Sequence, residues 1–257
     1  MEEKALYKTN DPLANEEVVI SIKGLFKSFG TNHVLKNFTL DVKKGESVVV
    51  LGKSGSGKSV LIKCIIGLIK PDAGTIHVFG KDVTKMNQKE LDQMRVNVGF
   101  LFQSNALYDS MSVRENLEFP LRRHRTSNQK NEINELVKEA LTNVGLLHTI
   151  DMRPAELSGG MRKRIALART LILKPGIILY DEPTTGLDPI TGKEISYLMC
   201  DLAKKYNTSS IVISHDLNCV KIVASSIVML IDGQCYAHAD MESLKISSDP
   251  KIKTFFE

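Results

Sequence analysis

Long hydrophobic runs are missing. No stretch of the 257 residues approaches the roughly 18 consecutive apolar residues that a membrane-spanning helix needs. Residues 1–17 are polar and carry no signal-peptide core. They are expected to fray, and the chain is expected to stay in the cytoplasm, with any membrane role supplied through a partner. Cysteine is scarce and badly spaced for metal: Cys64, Cys200, Cys219 and Cys235 read as reduced thiols, mostly small buried hydrophobes. Charge of one sign is not in excess either. A net charge of +4 is too weak to argue for nucleic acid, whose binders concentrate a basic face. The short clusters Arg122-Arg123-His124-Arg125 and Arg162-Lys163-Arg164 read as solvated helix faces, so no direct nucleic-acid partner is expected. No heptad run is present. What remains is the composition of an ordinary globular protein, 42% hydrophobic and 25% charged, long enough for one large domain or two small ones.

Against that plain background one stretch stands out: Gly52-Lys53-Ser54-Gly55-Ser56-Gly57-Lys58-Ser59. A short β-branched run, residues 47–51, precedes it, and an amphipathic run, residues 60–68, follows. Strand, glycine-rich turn and helix are the setting in which G-x-x-x-x-G-K-S cradles phosphate. The glycines let successive N–H groups point inward at an anion, and the following helix adds its positive dipole end. Lys58 brings a full charge to the β- and γ-phosphates, and the Ser59 hydroxyl is a hard ligand suited to Mg²⁺. This motif alone says only that a nucleoside triphosphate binds.

The remaining chain alternates strand and helix signals, the mark of an α/β protein. Strands are expected at 18–25, 38–42, 75–79, 98–102, 177–181, 210–213 and 226–231, and a short helix at 89–96. Phe29 lies one strand before the glycine-rich loop; by itself it reads as a core residue, with stacking on an adenine ring as the other reading. Gln103 ends a strand, where open α/β sheets carry ligands; a surface glutamine and a Mg²⁺ ligand are both open. Between residues 112 and 145 the strand signal stops. Val113, Leu117 and Leu121 fit one helix face, and Ile133, Leu136, Val137, Ala140, Leu141 and Val144 fit another, with Pro120 and the polar residues 122–130 expected to separate them. At the end of this helical insertion stands Leu157-Ser158-Gly159-Gly160-Met161. Ser158 is placed to cap a helix running to about residue 173, and the bare N-terminus at Gly159 and Gly160 is an anion site. Two phosphate-binding helix ends in one chain make sense if a second copy completes each site. The apolar strand at 177–181 ends in Asp181 and then Glu182; the first can hold Mg²⁺ through water and the second can take a proton from an attacking water. His215 follows another buried strand and by itself reads as structural, with a γ-phosphate contact as the alternative. Residues 241–257 are weakly patterned.

Taken together these segments resemble the ATPase subunit of ABC transporters, from about residue 18 to residue 234. The resemblance implies a P-loop nucleotide-binding core with an N-terminal antiparallel β subdomain (18–103 and 158–240), an inserted helical subdomain (104–157) and a C-terminal extension (241–257), all within one domain, 1–257. It implies ATP and Mg²⁺ as cofactors. Phe29, Gly52, Lys53, Ser54, Gly55, Ser56, Gly57, Lys58, Ser59 and Val60 would hold the nucleotide. Ser59, Gln103 and Asp181 would hold the metal. Glu182 would be the catalytic base, with Gln103 and His215 at the γ-phosphate. Ser158, Gly159, Gly160 and Asp188 would reach the ATP of a second, head-to-tail copy. Within the family, residues 101–108, Met161 in place of the commoner glutamine, and Asp188-Pro189-Ile190-Thr191 look most like the Mla-type, MCE-associated lipid transporters. That resemblance implies transmembrane permease subunits and an MCE-type lipid-binding protein as partners at the cytoplasmic face of the inner membrane. The ATPase of a small-solute importer shares every catalytic motif and is the alternative.

Overall fold

Two long strands come first, β1 (Val18–Phe29) and β2 (Asn32–Lys43), in a computed structural model that describes residues 17–124 and 130–256. Strand β3 (Ser47–Leu51) leads through the glycine-rich loop into α1 (Lys58–Ile65). Then come β4 (Ala73–Val78), β5 (Lys81–Asp82), α2 (Gln88–Val96) and β6 (Val98–Leu101). Helices α3 (Val113–His124), α4 (Lys130–Asn143) and α5 (Gly159–Leu171) follow, with no strand between them among the described residues. The remainder alternates: β7 (Ile177–Asp181), α6 (Pro189–Tyr206), β8 (Ser209–Ser214), α7 (Leu217–Val223), β9 (Ser226–Ile231), β10 (Gln234–Ala239), and the short helices α8 (Met241–Lys245) and α9 (Pro250–Lys253).

The strands make two sheets. One is antiparallel in the order β2-β1-β4-β5, and the other runs β10-β9-β3-β8-β7-β6, parallel except at its β9–β10 edge. Strands β7 and β8 are buried at every position, as parallel strands covered on both faces must be. Successive side chains point to opposite faces, and here the two faces have different partners. Val48, Val50, Leu179, Ile211 and Ile213 pack with the antiparallel sheet and α1. Val49, Leu51, Ile178, Tyr180 and Val212 pack with the helices from α3 to α7. Because β3, β6, β7 and β8 are parallel, their C-terminal ends open on one edge, and the segments carrying Gly52, Gln103, Glu182 and His215 all emerge there.

Several expectations need correction. The first strand runs on to residue 29 and the second starts at residue 32 rather than 38, because both bend through irregular pairings that erase the period-2 pattern; Gly24 and Asn37 take positive φ there. The helix after the loop starts inside the motif, at Lys58, and ends early, before Gly67 at φ 68. Pro120 does not separate two helices: α3 runs through it to His124. Proline deprives one carbonyl of its partner, but Val113, Leu117 and Leu121, on both sides of it, are fully buried in one core and hold the helix together. Residues 125–129, in the stretch expected to separate the helices, lie outside the described residues, as do residues 1–16, which were expected to fray. The weakly patterned C-terminal stretch forms α8 and α9, capped by Asp240 and Asp249 and anchored by buried Leu244 and Ile252. The four cysteines are free thiols; Cys64 and Cys219 are buried and the others half-buried. Among the described residues no helix is long and apolar enough to cross a membrane.

Candidate active site

The glycine-rich loop turns where its sequence allows it to. Gly55 and Gly57 have φ of 78° and 102°, and a Cβ on Gly57 would sit 2.7 Å from Val34 Cγ1. Only glycine fits there without strain. The Lys58 ammonium folds back onto its own loop, donating to the carbonyls of Gly52 (2.8 Å) and Lys53 (2.9 Å). Burial pulls its pKa down, while Glu182 and Asp181 nearby push it up. The result is a positive charge held inside a ring of backbone, poised for an anion that can replace two weak carbonyl acceptors.

Six segments of chain converge on one cleft of about 480 Å³, lined by Phe29, Val34, the loop residues Ser54, Gly55, Gly57, Lys58, Ser59 and Val60, then Gln103, Glu182 and His215. Lys53 and Ser56 line an adjoining cleft, and Gly52 sits behind the loop, where a Cβ would meet the Leu230 carbonyl at 2.7 Å. Phe29 is half exposed, which corrects the reading of it as a core residue. Deeper in, Ser59 Oγ donates to Asp181 Oδ1 at 3.0 Å. Burial raises the Asp181 pKa and the Ser59 hydrogen bond opposes that rise. Glu182 adopts φ 51, a left-handed backbone that costs a non-glycine residue roughly 1–2 kcal/mol. Its N–H is held by the Ile213 carbonyl at 3.0 Å, which turns the side chain out of the strand. The carboxylate is nearly buried and its Oε2 lies 2.8 Å from His215 Nδ1. A carboxylate only accepts, so the tautomer with the proton on Nδ1 is the one that completes this hydrogen bond. Thr185 Oγ1 donates to the same oxygen at 3.3 Å.

Ser158, Gly159, Gly160 and Asp188 do not line this cleft. They form a cluster of their own. Ser158 is exposed and caps α5, accepting from Met161 N at 3.2 Å. Asp188 caps α6 through Ile190 N and Thr191 N, and the Thr191 hydroxyl, first among its hydrogen bonds, keeps its carboxyl below the usual range. The two caps touch: a Cβ on Gly160 would lie 2.8 Å from Thr191 Cγ2. One chain therefore brings the glycine-rich loop, Gln103, Glu182 and His215 together and leaves the second helix end pointing elsewhere.

Sequence reasoning missed three polar residues near the site. Lys163 was expected on a solvated face, yet it is 2% exposed and donates to the Gln103 carbonyl at 3.1 Å. Burial pulls its pKa down to about 8, with Asp181 opposing. The signal was available, since Lys163 lies three, four and eight residues before buried Ala166, Leu167 and Leu171, on the same stripe of the helix. Arg169 donates to the Asn105 carbonyl at 3.1 Å. Asn116 is fully buried, accepting from Tyr108 N at 2.9 Å and donating back to its carbonyl at 3.1 Å. No local pattern distinguishes these from surface polar residues.

The chain is similar to known proteins over most of its length. The family model described as ABC transporter matches residues 35–185. A probable ribonucleotide transport ATP-binding protein, mkl, of Mycobacterium leprae is 41% identical over 93% of this chain and 68% of its own length. The intermembrane phospholipid transport system ATP-binding protein MlaF of Haemophilus influenzae is 38% identical over 93% of this chain and 90% of its own. The cassette MJ0796, solved as a dimer in a post-hydrolysis state bound to ADP and Pi, superposes with a TM-score of 0.79 at 31% identity, over 86% of this chain and 98% of that one. With its glycine-rich loop between β3 and α1, its antiparallel sheet and its inserted helices, the chain belongs to the ABC transporter family and is an ATP-hydrolysing subunit of such a transporter.

Proposed function

We propose that the cleft at the end of β3 holds ATP with Mg²⁺, and that the chain uses it to drive a permease that moves phospholipid between membranes. The observation that carries the first part is the convergence of Phe29, Lys58, Ser59, Gln103, Glu182 and His215 on one cleft. Lys58 meets the phosphates and Phe29 offers a ring to the base. The donor set suits a small hard cation, with a hydroxyl and a carboxylate already 3.0 Å apart in Ser59 and Asp181 and the amide of Gln103 on the same wall. When bound, that ion supplies positive charge to the phosphate oxygens. Glu182 takes the proton of the attacking water on its carboxylate, and His215 holds that carboxylate in place through Nδ1.

ABC cassettes work as pairs on permease subunits. We read Ser158, Gly159, Gly160 and Asp188 as the half of the second site that each copy lends to the other, because they form an exposed helix end apart from the chain's own cleft. In a mixed population, Ser158→Arg and Lys58→Ala chains should then complement at one of the two sites. Mixed dimers of folded chains that regain no ATP hydrolysis above either parent would refute the head-to-tail arrangement.

For the permease contact we propose the surface beside the loop that follows Gln103. Tyr108 and Phe119 are exposed aromatic rings 5.1 Å apart, steadied by Asn116 and by the Arg169 guanidinium 5.8 Å from the Tyr108 ring. Leu107, next to Tyr108 in the chain, packs partly buried against the core. A rigid apolar pair rimmed by polar groups suits a helix laid across it. The residues from 104 to 157 would move with it as the dimer closes, at the cytoplasmic face of the inner membrane. Lipid as cargo is supported by the similarity to MlaF along nearly the full length of both chains and by residues 101–108 and Met161, and it brings an MCE-type lipid-binding protein as a further partner. The mycobacterial relative's name favours a soluble solute instead. Tyr108→Asp should abolish co-purification with the permease and leave ATP binding intact. The complex isolated from native membranes should carry phospholipid whose release ATP accelerates. ATPase activity stimulated only by a soluble solute and its binding protein would move the chain to the importer reading.

A further inference from the structure

The geometry points to Lys163 as a positioning residue for hydrolysis: its buried ammonium ties the main chain of Gln103 to α5, so that Gln103 and Ser158 of one subunit move as a unit. The inference rests on the roles proposed above for those two residues and adds what connects them. Lys163 lies five residues after Ser158, about a turn and a half along the same helix. Its Nζ donates to the Gln103 carbonyl at 3.1 Å, and the residue is 2% exposed. Around it α5 grips the same strand and loop at further points. Gly99 of β6 passes so close that a Cβ would lie 2.7 Å from Thr170 Cγ2. Arg169 holds the Asn105 carbonyl at 3.1 Å. Asn105 and Ala106 both take left-handed backbone, at φ 65 and 51, a strained turn that persists only where surroundings impose it.

Among these contacts Lys163 is the one made to Gln103 itself. It is also the least economical for packing alone. A buried ammonium costs stability that an apolar residue of the same length does not, and its stripe of α5 is otherwise occupied by Ala166, Leu167 and Leu171. A charge-assisted hydrogen bond to a main-chain carbonyl fixes the loop's origin whatever the Gln103 side chain does. When the Gln103 amide responds to ligand, the displacement of its backbone is carried directly to α5 and hence to Ser158.

The test is a double-mutant cycle on the full chain in its membrane complex, using Lys163→Met, Gln103→Ala and the double variant. Lys163→Met should lower kcat for ATP about tenfold, keep KM within threefold, and leave the urea midpoint no lower than wild type. On the Gln103→Ala background the same change should alter kcat less than twofold, because the group it positions is gone. If Lys163→Met slows Gln103→Ala by the same factor as wild type, raises KM instead of lowering kcat, or leaves kcat within twofold, the tether is wrong. Should the methionine variant fail to fold, Lys163→Leu, which likewise carries no donor, carries the same cycle with the same outcomes. Glu182→Gln measured alongside separates the two levels. Wild-type turnover there overturns the site reading itself, whereas lost turnover with an additive cycle overturns the tether alone.

Discussion

Glu182→Gln should lower ATP turnover by about 10²-fold or more while nucleotide affinity stays within about threefold of wild type. The substitution keeps the length and shape of the side chain, and its amide oxygen can still accept from His215 Nδ1, now 2.8 Å from the carboxylate. The backbone at φ 51 and its hydrogen bond to the Ile213 carbonyl are untouched. Only the capacity to take a proton is lost. Glu182 is nearly buried yet lines the open cleft, so no bulk-water base replaces it cheaply. Phosphate release by the assembled transporter, beside equilibrium binding of labelled ATP, separates a lost base from a lost ligand. Activity near wild type would remove Glu182 from the chemistry and leave the cleft a binding site without an identified base.

Lys58→Ala should fail in the opposite way, losing about 10²-fold in nucleotide affinity. Its ammonium is the full positive charge of the loop, and each charge-assisted hydrogen bond to a phosphate is worth about 1.5–3 kcal/mol. One or two such bonds account for the factor, at about 1.4 kcal/mol per tenfold. Stability should not fall in parallel. Lys58 is 6% exposed and its ammonium donates to the carbonyls of Gly52 and Lys53, and burial has already lowered its pKa; removing it relieves a desolvated charge. Thermal unfolding of the variant, set beside ATP titrations, checks both statements. Unchanged affinity in a folded variant would mean that the loop binds phosphate through its backbone alone.

The loop residues and the two acids were legible because each is announced by chemistry next to it in the chain, whereas Gln103 and His215 gained a role only through the resemblance. Gly55 and Gly57 carry positive φ that side chains resist. Asp181 and Glu182 end a strand buried at all five positions, where acids have no packing purpose. Phe29 was less legible: an aromatic at a strand end looks the same whether it meets the core or a ligand, and only its exposure decides. Lys163 was misread because a charge in a basic cluster looks solvated, whereas its neighbours on α5 bury it. Pro120 was misread because its local cost was plain and the core contacts of Val113, Leu117 and Leu121 that outweigh it were not.

By itself, then, the sequence determined the α/β alternation, the phosphate-binding loop and the acids at the end of β7, since periodicity and turn chemistry act between neighbours in the chain; the other candidate residues came from the resemblance to a family. Tertiary structure decided the rest. The strand order that brings Gly52, Gln103, Glu182 and His215 to one edge, the separation of Ser158 from that edge, the hydrogen bond from His215 to Glu182 and the grip of Lys163 on Gln103 all join residues far apart in sequence. A pattern along one segment reports which face is buried but not what buries it, and these contacts exist only once the sheet has set the partners side by side.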